Sequence, residues 1–172
     1  MSNTTITNKG AMNMGMTGIY YVEKDNLQTI LTGTTNQPDL DIDKTWSLIA
    51  DMFPDIPFVP VQNQYAIDSQ LTEFGTFYLP PHQVAQMAES IPVVRQREAL
   101  EQRIDFDRWK ASSQPDTKSE EDDAMMMFFF PMTEEDTYED LVEGYLLPHL
   151  DQVFDLYLRA ASEGQGIIFA II

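Results

Sequence analysis

Asp39, Asp41 and Asp43 alternate with other residues as D-x-D-x-D, which resembles the first half of a calcium-binding loop. The second half does not follow. Lys44 stands where the turn glycine belongs, and Ala50 where a bidentate Glu belongs. These aspartates read better as helix caps, with Asp41 or Asp43 opening an apolar run that includes Trp46, Ile49 and Phe53. His82 and His149 lack an H-x-x-x-H or H-x-E neighbourhood, so neither reads as a metal ligand. There is no G-x-S-x-G, phosphate loop or G-x-G-x-x-G, and without cysteine no thiolate nucleophile or zinc-thiolate site. Neighbouring carboxylates such as Glu134 and Glu135 supply the atoms of an acid–base pair, but a general acid also needs a desolvated site. No catalytic residue, metal ligand or cofactor is therefore assigned.

The stronger signal is for binding. Met125, Met126, Met127, Phe128, Phe129 and Phe130 follow one another without a polar residue. A helix would splay them round its axis, and a strand would put three on each face, so no single covered face hides them all. Burying each side chain contributes about 1.5 to 3 kcal/mol. Left in water, the run would be an association-prone patch. Its cover is the protein's own core, a second copy of the chain, or a foreign partner. Acids lie on both sides of it: Glu120, Glu121, Asp122 and Asp123 before, then Glu134, Glu135, Asp136, Glu139 and Asp140 after. An apolar centre inside a charged rim is ordinary interface anatomy. The same acids also guard an apolar run against aggregation.

The whole chain leans the same way. Its 172 residues carry 28 acids and 10 bases, a net charge of −18, where a small soluble domain usually carries about 2 to 8. Nucleic acid and anionic membrane both need a basic footprint, so neither is expected as a partner. A basic protein partner is. Between Asp116 and Glu163 stand fourteen acids against Lys118 and Arg159. Arg95, Arg97, Arg103, Arg108 and Lys110 concentrate half of the bases in sixteen residues. The two segments are candidates to attract each other within the fold. The absence of cysteine, of an amino-terminal secretory pattern and of any membrane-length apolar run leads us to expect a cytoplasmic protein.

The elements that must position these groups follow from periodicity. Residues 1–12 are polar and read as a flexible arm, and 13–172 as one domain. The segment 14–23 predicts a strand, and Asp25–Leu31 a short helix stopped by Gly33. A helix follows Asp43 and ends at Pro54. An extended, proline-rich loop then leads to a strand over 73–79. Pro80 and Pro81 open a helix that buries Val84, Met87, Ala88 and Ile91. The stretch 93–110 is helical at least in its first half, and a mobile acidic loop is expected near 111–123. Thr133 with Asp136 resembles a capping box for a long helix that Pro148 should bend or split. Gly164 or Gly166 ends that helix, and "IIFAII" predicts a strand apolar on both faces. Together with the family resemblance that follows, these elements lead us to expect an α+β fold, a small mixed sheet packed against several helices.

"MGMTGIYY", "LDIDKTW", "FGTFYLPPHQVAQMA" and "LDQVFDLYLRAASEGQGIIFAII" occur here in one order. In that order the chain resembles the YfbM-like family of small bacterial proteins of unassigned function, from Met14 to Ile172. The middle, about Ser112 to Pro131, departs from the family pattern, which has a short link carrying Tyr-Pro. The resemblance implies a compact cytoplasmic α+β domain with no catalytic residues to carry over. It also makes an immunity role conceivable, since some relatives stand beside toxin genes. Composition and resemblance together point to an acidic protein-binding module, most concretely an immunity-type protein that neutralises a cationic partner. The alternatives are an enzyme using carboxylates in a cleft and a self-associating structural protein.

Overall fold

Apolar residues fill both faces of the last strand, and the sheet is built around it. The computed structural model describes residues 16–23, 27–33, 37–113, 131–133 and 135–172. In chain order these form β1 (Gly18–Val22), α1 (Leu27–Leu31), β2 (Leu40–Asp41), a 3-10 turn (Asp43–Thr45) and α2 (Trp46–Met52). A second 3-10 turn (Asn63–Tyr65), β3 (Thr76–Leu79), α3 (Pro81–Val94), α4 (Arg97–Glu101) and α5 (Phe106–Ser112) follow. A π-helical segment (Glu139–Leu146) runs into α6 (Leu147–Ser162), and β4 (Ile167–Ile171) closes the domain. The class is α+β. The strand order is β2-β1-β4-β3.

Every pairing in this sheet is antiparallel, so it is not the mixed sheet expected from the sequence. The reason lies between β3 and β4. A single crossover helix would return the chain parallel. Here α3, α4, α5, the π-helical segment and α6 stand between the two strands, with α3 and α6 packed on each other. Strand periodicity then sorts the side chains. Tyr20, Val22, Phe77, Leu79, Ile167 and Phe169 join the main core, while Ile19, Tyr21, Ile168 and Ala170 meet Ile30 of α1 on the other face. Phe169 lies opposite both Tyr20 and Phe77, with ring centroids 4.9 and 6.3 Å away. At Gly18 a side chain would lie within 2.8 Å of Trp46 Cβ, so glycine is what lets α2 close on the sheet.

Most predicted elements are present with displaced ends. The stripe Val84, Met87, Ala88 and Ile91 is buried on α3. Gly33 and Gly164, both at positive φ, stop α1 and α6. At Gly164 the two bonds Gly164 N–H to Ala161 O and Gln165 N–H to Ala160 O make a Schellman end. The stretch 93–110 divides: extended backbone at Gln96 separates α3 from α4, and Asp105 caps α5 by accepting the Arg108 amide at 3.2 Å. Residues 111 and 112 belong to α5 and not to a loop. The expected flexible arm, residues 114–123 of the acidic loop, Asp25 and the Met125–Phe130 run lie outside the described residues. Met132, just past the run, is buried in the main core.

Pro148 has no amide proton, and in α geometry its ring would press on the carbonyl four residues back. The chain widens instead of breaking. Leu147 N–H reaches the Val142 carbonyl, five residues away. The His149 ring Nδ1 lies 2.8 Å from the Tyr145 carbonyl, where a backbone bond would otherwise be sought. The helix starts at neither Thr133 nor Asp136. Thr133 N–H and Oγ1–H both donate to Asp136 Oδ2, closing a turn. The next T-x-x-D caps the helix: Thr137 Oγ1 accepts the Asp140 amide at 3.2 Å, and Thr137 O accepts the Leu141 amide at 3.0 Å.

The proline-rich loop is fixed from within. Tyr20 of β1 and Tyr157 of α6, both fully buried, donate their hydroxyls to one acceptor, Phe58 O, at 2.7 and 2.9 Å. Trp109 is buried, with its indole N–H donating to Asp51 Oδ2 at 2.7 Å.

Two expectations follow. Tyr20→Phe and Tyr157→Phe should each cost about 0.5 to 1.5 kcal/mol, because Phe58 O keeps one donor. The double variant should lose about 1 kcal/mol or more beyond their sum, since the carbonyl is then buried without a partner. Denaturant unfolding measures this, and additive losses would mean another group satisfies that carbonyl. Burial also pushes both hydroxyls well above the ordinary tyrosine value of 10.0. Tyr78 is raised to about 12, first by burial and then by its bond to Glu23. Raised folded values give stability that is whole below the ordinary value and lost as pH climbs through the folded one. Stability should therefore decline above about pH 10. Tyrosinate absorbance should rise in two stages, the later one coinciding with loss of helical circular dichroism.

Candidate functional site

Of the residues singled out for partner binding, Glu120, Glu121, Asp122, Asp123, Met125, Met126, Met127, Phe128 and Glu134 lie outside the described residues. Glu135, Asp136, Glu139 and Asp140 lie at the entry to the π-helical segment. They divide by role. Asp136 and Asp140 are held in the local turn and cap, whereas Glu135 and Glu139 are exposed and form no ion pair among the described residues. The alternating aspartates also separate. Asp39 Oδ2 accepts the Val22 amide at 2.8 Å, and Asp41 Oδ1 accepts the Asp43 amide at 2.8 Å. Asp43, at φ +50°, accepts Tyr145 O–H at 2.6 Å. Neither Asp41 nor Asp43 caps α2 itself; Asp41 closes an Asx turn ahead of the 3-10 turn. No group of three or more possible metal-ligating side chains stands together among the described residues.

The helices leave a groove of about 440 Å³ between the α3–α4 corner and the π-helix–α6 junction. Leu100, Leu147, Leu150 and Phe154 stand along it, with Leu150 and Phe154 themselves fully buried and Leu147 partly exposed. The walls are charged. Arg95 donates to Asp151 at 3.1 Å and to Asp155 at 2.9 Å, with its guanidinium 5.8 Å from the Phe154 ring centre. Arg97 donates to Glu101 at 2.7 Å and grips both oxygens of Glu143. Two guanidiniums thus stand against four carboxylates, all at least partly exposed.

The expected attraction between the basic and acidic segments is half realised. Arg95 and Arg97 reach Asp151, Asp155 and Glu143 in the acidic segment. Arg103 and Arg108 turn instead to Asp55 and Asp51, at and beyond the end of α2. Arg103 forms a two-pronged pair with Asp55 and stacks 4.6 Å from the Phe53 ring. With these arginines engaged, Glu98, Asp107, Glu135 and Glu139 remain exposed and without an ion pair among the described residues.

The groove was not singled out from the sequence. Its signals were present separately, as the arginine cluster after Val94, the bend expected at Pro148 and the stripe containing Leu150 and Phe154. Nothing in a single sequence says that they converge. The groove also holds neither histidine nor tryptophan among its described lining. Arg97, by hydrogen bond first and by charge second, holds Glu143 below the ordinary carboxylate range. That is opposite to the shift a general acid requires.

No protein-family model, curated protein or solved structure matches this chain. No described helix is long and apolar enough to cross a membrane.

Removing the arginine tests the local electrostatics. A lowered folded value means that Glu143 adds stability above its unfolded value and loses it as pH falls through the folded one. Arg97→Met should return Glu143 toward 4.5, its ordinary value. The stability gap between variant and native protein should close below that range. Carboxyl-detected NMR titration and acid unfolding read the two effects.

Proposed function

We propose that this is an acidic protein-binding module of the immunity type, which neutralises a basic protein partner in the cytoplasm. One observation carries the reading: the arginines of the basic segment are paired within the fold, while exposed acids such as Glu135 and Glu139 have no ion pair among the described residues. Arg95, Arg97, Arg103 and Arg108 all sit in ion pairs, while Glu135 and Glu139 at the helix entry form none among the described residues. The surplus is large, at −18 for the chain. A field of that sign draws cationic surfaces in and repels nucleic acid and anionic lipid. Apolar area next to the charges gives such a partner something to bury once it arrives. The resemblance to YfbM-like proteins supports the same reading, because some of that family stand beside toxin genes.

The alternative of an enzyme with carboxylates as acid and base draws less support. The groove's acids are bound to arginine and partly exposed, and the bond from Arg97 holds Glu143 ionised rather than poised.

The partner is to be isolated from the native host on the immobilised full chain and its association followed by stopped flow. We expect the rate to fall about tenfold or more as ionic strength rises from low to physiological values. Glu135→Lys with Glu139→Lys should slow it several-fold further at low salt. A rate indifferent to salt, or a bound partner with an acidic interface, overturns the reading.

A further inference from the structure

We draw no further inference here: the strongest candidate, the exposed apolar surface patch of Phe74 and Ile172 flanking the bond from Ile171 N–H to Gly75 O at the ends of β3 and β4, carries nothing because nothing in the structure shows what covers it.

Discussion

Two phenolic hydroxyls meet at one buried carbonyl, and the rest of the molecule is arranged so that they can. Phe58 O takes Tyr20 from the sheet and Tyr157 from α6. A loop with this much proline has few amides to spend on a ladder. Unpaired backbone in the interior costs free energy comparable to a lost hydrogen bond, so tyrosines do what a strand partner would have done. The rings that carry those hydroxyls then pack. Phe58 meets Phe53, Phe154 and Tyr157 edge-on at 5.1 to 5.4 Å. Sheet, loop and long helix are thereby held in one register, and Phe154 is fixed with one side in the core and one beside Arg95.

From that frame the electrostatics follow. The α3–α4 corner projects Arg95 and Arg97 toward the π-helix–α6 junction, and α5 projects Arg108 toward α2. Each finds carboxylates within reach. A chain with 28 acids and 10 bases cannot pair them all, so internal pairing sharpens the imbalance at the surface. Part of what is left over, Glu98, Asp107 and Glu139, stands in the first turns of helices, where acids suit the helix dipole. Stability and binding therefore draw on the same residues in different proportions. Asp136 and Asp140 serve the fold, while Glu135 and Glu139, beside them in sequence, face solvent.

How far the sequence could be read depended on the range of the interaction involved. Local rules worked where the cause was local. Gly33 and Gly164 ended helices, Pro81 opened one, and the apolar hexamer at the end of the chain became the central strand. They misplaced the cap at Thr133 because T-x-x-D occurs twice in succession, and the turn preceding the helix uses the first copy. They missed the purely antiparallel pairing because strand direction depends on the path of the helices between β3 and β4, which periodicity does not encode. The groove was less legible still. It needs Arg95, Glu143 and Phe154 to meet across long sequence separations, and no spacing rule reports that. The Met125–Phe130 run, the most conspicuous feature of the sequence, lies outside the described residues. The candidate site rests on other side chains.

The widened turns ahead of Pro148 have an evolutionary consequence. Inserting one residue into an ordinary α-helix would swing everything beyond it by about 100°, and the apolar stripe from Leu150 to Tyr157 would leave the core. A π-helical stretch absorbs such an insertion locally, and a single deletion there would tighten the coil while the stripe stayed in phase. Glu139–Leu146 is thus a place where the chain can gain or lose a residue and re-aim its acids, while Phe154 and Tyr157 stay where the fold needs them.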